Sequence, residues 1–191
     1  MDRWVFAYGS LLWDPGFAPA EAVPARLPGW RRRFCLLSVR WRGTEAAPGL
    51  VLGLDAAPGA SCDGLALRVA PPEEAAVLAA LRARELVSDA YEERSLPVGL
   101  ADGRRVEALA YVVRRDHRQY ADLSVAEQAR VIARAHGERG PNMDYLRHAL
   151  RRLRELGIHD PEVEALREAA EAREDPGSRR ASGVQSPPSE A

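Results

Sequence analysis

The stretch Cys62-Asp63-Gly64-Leu65-Ala66-Leu67-Arg68-Val69 runs into Ala70-Pro71-Pro72-Glu73-Glu74, and there the spacing of apolar residues changes from that of a strand to that of a helix. Proline near a first turn, followed by acids and then Val77, Leu78 and Leu81, predicts a helix ending near Glu85. Upstream, the chain reads as strands and turns. Residues 4–8 (WVFAY) form a short apolar run stopped by Gly9-Ser10, a buried strand feeding a tight turn. A loop rich in Pro and Ala follows. Residues 33–40 (RFCLLSVR), 50–54 (LVLGL) and 62–69 are three further strands separated by Gly and Pro. Downstream, residues 91–98 and 105–113 flank Asp102-Gly103 and predict a β-hairpin.

The C-terminal third reads as helical. Ser124-Val125-Ala126-Glu127 is a capping box opening a helix with Val131 and Ile132, closed by Gly137. A second helix starts after Pro141 with Asn142 as N-cap, buries Leu146, Ala149, Leu150 and Leu153, and stops at Gly157. Asp160-Pro161 caps a third helix reaching about Arg173. Residues 174–191 are nearly devoid of large apolar side chains and predict a disordered tail behind one domain over residues 1–173.

Composition narrows the chemistry. The 191 residues carry a formal net charge of -1, which offers no broad positive field for nucleic acid or an anionic membrane. All 27 basic residues are arginine, so Schiff-base chemistry and a phosphate-loop lysine are excluded. His117, His136, His148 and His159 lack metal-ligand spacing, and no Gly-rich phosphate loop opens a helix, so neither metal nor nucleotide cofactor is expected. Cys35 and Cys62 are too few for a disulfide framework and read as packing residues in strands. The N-terminal segment has neither the basic region nor the apolar length of a signal peptide, and no window spans a membrane, which predicts a cytoplasmic protein. Trp30 and Trp41 interleave with arginines; given the neutral balance, this reads as a strand with charged ends.

Three features carry candidate chemistry. In the turn Tyr8-Gly9-Ser10-Leu11, glycine permits close approach of a ligand and successive N–H groups can cradle a carboxylate; an ordinary strand and turn fits equally. Ser10 lacks the G-x-S-x-G spacing of a nucleophile elbow, so a nucleophilic role needs a base from a distant segment. Glu85 falls four residues after Leu81 and seven after Leu78, on the apolar stripe at the negative end of its helix. Desolvation and dipole both favour its protonated form and make it a candidate acid/base, unless it is a helix-end glutamate paired with Arg82 or Arg84. Tyr145 faces the core four residues before Ala149, either as a packing residue or with its hydroxyl in a polar site.

In their order and spacing, FAYGSLLW (residues 6–13), RRFCLLSVRWRGT (32–44), APGLVLGLD (47–55), GLALRV (64–69), LRARELVSDAY (81–91) and GPNMDYLRHALRRLRELGIHDP (140–161) resemble the ChaC family of γ-glutamylcyclotransferases. The resemblance covers roughly residues 4–168 and implies an α+β fold, a mixed β-barrel with flanking helices. It also implies an enzyme that cuts glutathione into 5-oxoproline and cysteinylglycine without a cofactor. The loop of Tyr8, Gly9, Ser10 and Leu11 would bind the γ-glutamyl group, Glu85 would be the acid/base, and Tyr145 would line the site. The segment before Glu85 is less aromatic than in many relatives. The small-molecule substrate is the expected partner of a monomer. Rival readings are a cyclotransferase for other γ-glutamyl amino acids or amines, and a non-catalytic regulatory module.

Overall fold

A computed structural model of the chain describes residues 2–173. Its centre is a closed five-stranded barrel of β1 (Trp4–Ala7), β2 (Glu21–Ser38), β3 (Gly49–Arg68), β4 (Tyr91–Leu100) and β5 (Arg105–Val113), in the order β1-β3-β2-β4-β5. All neighbours are antiparallel except the closing pair. There β1 runs parallel to β5, with Trp4 opposite Ala108 and Val5 opposite Leu109. The barrel is therefore mixed, as expected.

Strand alternation sorts the core into two layers. Trp4, Phe6, Leu27, Leu54, Ala66, Val98 and Ala110 come from all five strands and fill the barrel interior. Val5, Ala7, Phe34, Leu50, Leu52 and Leu67 point outward and are covered by helices α1 (Glu74–Glu85), α2 (Val125–Arg134), α3 (Asn142–Glu155) and α4 (Pro161–Glu171). The four residues of β1 are buried on both faces, which is why the run is apolar without alternating.

The structure corrects several boundaries. The expected Pro/Ala-rich loop is, from Glu21 on, the first half of β2. Pro24, Arg26 and Pro28 point to solvent, while Ala25 and Leu27 face the core. The register shifts after Pro28, where Gly29 takes a φ of +83° and residues 57–60 of β3 bulge opposite. The strands expected at 50–54 and 62–69 are consequently one continuous β3. The hairpin at Asp102-Gly103 and the capping box of Ser124 form as read, with both capping hydrogen bonds present. α2, however, ends at Arg134, and Gly137 lies in a short ribbon of β6 (His136–Gly137) and β7 (Gly140–Pro141).

Asn142 is not an N-cap. It is fully buried, and its amide accepts from the Leu50 N–H at 2.6 Å and donates to the Leu50 carbonyl at 2.8 Å, fastening α3 to β3. Asp160 does cap α4, accepting from the Val163 N–H at 3.2 Å. The predicted tail lies outside the described residues. Among the described residues, no helix is long and apolar enough to cross a membrane.

Candidate active site

After β1 the chain enters a 3₁₀ turn, Ser10–Leu12. Leu11 and Leu12 drop into the layer between barrel and helices, and the Tyr8 ring enters the barrel, its hydroxyl donating to the Tyr111 carbonyl at 2.8 Å. Backbone and Ser10 are what the turn presents to the cleft. Arg32 braces it from below. This side chain, on a residue 4% exposed, donates from Nε to the Tyr8 carbonyl at 2.5 Å, from Nη1 to Asp160 Oδ2 at 2.8 Å and from Nη2 to the Asp63 carbonyl at 2.5 Å.

Glu85 is the last residue of α1, one turn beyond the buried Leu81. Its side chain is 16% exposed. Burial raises its pKa above the ordinary carboxylate value; Arg84 pulls it down and Asp14 pushes it up. Arg84 Nε stands 3.2 Å from Glu85 Oε1 but out of line for a hydrogen bond, so this buried oxygen receives no protein donor. The other ends of Arg84 reach the turn after β1: Nη1 donates to the Asp14 carbonyl at 2.7 Å and Nη2 to Ser10 Oγ at 3.0 Å. Glu85 is therefore a desolvated carboxylate at a helix end, beside an arginine. Arg82 is not involved; it pairs with Glu93.

Between the turn and α1 opens a cleft of about 800 Å³ lined by Tyr8, Gly9, Ser10, Leu11, Glu85 and Tyr145, so the structure brings every residue singled out from the sequence to one place. The Glu85 charge reaches four phenols, those of Tyr8, Tyr91, Tyr111 and Tyr145, and opposes the ionisation of each. Tyr145 packs edge-on against Trp13 at 6.0 Å and Phe34 at 5.8 Å between ring centroids, and burial pushes its pKa up to about 12. Tyr145 thus packs on this aromatic pair and also lines the cleft.

Sequence reasoning missed Tyr91, whose hydroxyl donates to the Leu52 carbonyl at 2.8 Å, as well as Arg42 and His148, which complete the wall. An invariant-looking signal was lacking for them, since one arginine among 27 and a tyrosine opening a hairpin carry no mark of their own. The arginine-tryptophan stretch is largely neutralised internally: Arg31 and Arg115 pair with the buried Asp55, and Arg33 with Asp122.

Among the described residues there is no group of three or more His, Cys, Asp or Glu side chains placed to hold a metal ion. Cys35 and Cys62 are buried in β2 and β3, and burial pushes their thiols up to about 12 and about 11. Such thiols are neutral at physiological pH and poor nucleophiles. Cys35→Ala is accordingly expected to retain most turnover per folded molecule; complete loss in a folded variant would assign the thiol a chemical role.

The sequence pattern of the ChaC-like protein family matches residues 3–173. A glutathione-specific γ-glutamylcyclotransferase of Escherichia coli is 36% identical over 160 residues, covering 82% of this chain and 68% of that protein. γ-Glutamylcyclotransferase 2-3 of Arabidopsis thaliana is 31% identical over 175 residues, 87% of each. The crystal structure of a yeast γ-glutamylcyclotransferase specific to glutathione superposes with a TM-score of 0.81 at 24% identity, over 91% of this chain and 97% of that one, which shows a common fold. With that family pattern matched over nearly all of the described chain and relatives above 30% identity along most of it, the chain belongs to the ChaC-like family.

Proposed function

We propose that this protein is a glutathione-specific γ-glutamylcyclotransferase, a single catalytic domain over residues 1–173 that releases 5-oxoproline and cysteinylglycine. One observation carries the reading: Glu85, a desolvated carboxylate with one buried oxygen that no protein group hydrogen-bonds, lines the same cleft as the Gly9–Leu11 turn. The reaction needs no protein nucleophile. The substrate's α-amine attacks its own γ-carbonyl, forming the C–N bond of a five-membered lactam while the bond to the cysteinyl nitrogen breaks. Correct orientation of such an intramolecular attack contributes up to roughly 7–11 kcal/mol. The chain's task is to fold the substrate back and to move protons from the attacking nitrogen to the departing one.

Glu85 takes a proton from the α-ammonium and delivers it to the departing cysteinyl nitrogen. The second proton that the attacking nitrogen loses on becoming the lactam N–H ends on the released amine as its ammonium, a cycle suited to a carboxyl whose pKa lies above the usual range. Amide N–H groups of the Gly9–Leu11 turn hold the α-carboxylate or the developing oxyanion, and Arg84 keeps turn and carboxylate in fixed relation. Tyr8 braces the turn, and Tyr145 lines the site. Two free, buried cysteines suit a reducing compartment, and we extend the proposal to a cytoplasmic monomer. Incubation with glutathione should yield 5-oxoproline and cysteinylglycine in equal amounts by mass detection, at the same rate before and after dialysis against a chelator. Absence of 5-oxoproline would contradict the reading, and a rate restored only by a divalent ion would contradict its cofactor independence.

A further inference from the structure

Arg42 is a half-buried cation in the cleft wall with no carboxylate within ion-pair distance among the described residues. Its guanidinium carbon lies 5.6 Å from the centroid of the Tyr145 ring. Nη1 is fixed by the main chain, donating to the Arg139 carbonyl at 2.6 Å and the Pro141 carbonyl at 3.2 Å. Nε and Nη2 make no hydrogen bond. Burial pushes the Arg42 pKa down from its ordinary value; Tyr145 and the more distant Asp144 act against this without reversing it, and Arg139 adds to it.

The support around this cation is stiff. The β6-β7 ribbon backs onto the loop that carries Arg42: Glu138 N–H donates to the Arg40 carbonyl and Arg139 N–H to the Trp41 carbonyl, both at 2.9 Å. A Cβ on Gly137 would lie 2.5 Å from the Arg40 carbonyl oxygen, so the two segments meet at a distance only glycine permits. The same ribbon brings Arg139 to the cleft wall, with its guanidinium 4.4 Å from the Trp41 ring centroid and no acidic partner. The cleft thus has a carboxylate on one part of its wall, at Glu85, and an unpaired pair of guanidinium groups on another. The Tyr145 hydroxyl feels both charges, Glu85 raising its pKa and Arg42 lowering it.

We infer that Arg42, flanked by Arg139, is the subsite for the distal carboxylate of the substrate, the C-terminal carboxylate of a γ-glutamyl tripeptide. The inference rests on the proposed γ-glutamyl chemistry. In that chemistry the scissile end must lie at Glu85 and the turn, which leaves a second negative charge, several bonds away, for the rest of the cleft. A planar guanidinium with one free donor edge, Nε and Nη2, suits a carboxylate. The subsite selects tripeptides bearing a free C-terminal carboxylate over γ-glutamylamines, which have no such group.

The test compares glutathione with its C-terminal amide, which keeps the γ-glutamyl bond and the thiol and removes only the distal charge. In the parent enzyme kcat/KM for glutathione should exceed that for the amide about tenfold to a hundredfold, the range for a charge-assisted hydrogen bond. Arg42→Gln should collapse the ratio towards one. Arg139→Glu, which changes an exposed side chain and leaves the carbonyl that Arg42 grips, should lower it several-fold and serves if Arg42→Gln does not fold. Equal handling of both compounds by the parent enzyme overturns the subsite. So does a ratio that survives in both variants, or an Arg42→Gln protein that loses both substrates equally, as it would if Arg42 held the α-carboxylate. If neither compound is turned over, calorimetric Kd values for the same two compounds decide the point. A preference for glutathione that Arg42→Gln or Arg139→Glu abolishes keeps the subsite while the proposed activity falls, and no preference removes both.

Discussion

Glu85→Gln is expected to fold and to bind substrate like the parent protein while losing on the order of 10²–10⁴-fold in turnover, the usual worth of general acid/base catalysis. Glutamine keeps the shape of the side chain and cannot move a proton. The pH profile adds a second reading. Because burial sets the Glu85 pKa above the ordinary carboxylate value, activity should decline as pH falls through that raised value, since the protonated carboxyl no longer accepts from the α-ammonium. The decline should begin at higher pH than for a solvated glutamate and should be missing from any residual activity of Glu85→Gln. Stability runs the other way. A carboxyl whose folded pKa exceeds its unfolded pKa favours the fold at low pH, and this contribution is lost as pH rises through the folded value. Thermal melts at neutral pH should therefore find Glu85→Gln at least as stable as the parent. A well-folded variant with near-parental turnover would transfer the proton to another group, Tyr145 being the first to examine.

Arg32→Met should produce the largest loss of stability. It strips a buried carbonyl at Tyr8 and another at Asp63 of their donor and leaves Asp160 without its cation. Removing one partner of a buried ion pair costs about 3–5 kcal/mol, which for a domain of this size lowers Tm by on the order of 10 °C. Below the melting range kcat/KM should fall as well, because the Tyr8 carbonyl is then free to shift and a displacement of about 1 Å at a site can cost on the order of 10²-fold. Adding Asp160→Asn should cost less than the sum of the two single changes, since the orphaned charge is gone. A calorimetric scan of Arg32→Met with the parental Tm would show that the guanidinium contributes nothing to the fold.

Much of this could be read from the residues, and what could not has physical reasons. The burial of Glu85 was legible because helical spacing from Leu78 and Leu81 fixes its azimuth, whatever lies opposite. The turn after β1 was legible because an apolar run stopped by Gly-Ser has few other meanings. The first half of β2 was hidden by Pro24 and Pro28, residues that usually break strands; here they stand on the outward face, and the inward alternation of Val23, Ala25 and Leu27 was the available signal. Asn142 looked like a cap because asparagine at the opening of a helical pattern normally is one, and only the register of β3 beside α3 reveals its tertiary partner. Barrel closure and the separate fates of Arg32, Arg42 and Arg84 depend on long-range geometry. In a chain whose every cation is arginine, no local pattern distinguishes a buried brace from a cleft residue or a solvated one.

The parallel seam that closes the barrel has a consequence for how the enzyme comes into being. β1 has no partner near it in the chain: it pairs with residues 65–68 on one side and with Ala108 and Leu109 on the other. Contacts between such distant segments form late, because the intervening loop entropy must be overcome first. The turn that follows β1 gains its shape only when the strand docks, and the Arg32 brace additionally requires the start of α4. A partly folded chain, even one with its long β2-β3 hairpin complete, lacks the docked turn and its brace, so the cleft exists only once the whole barrel has closed.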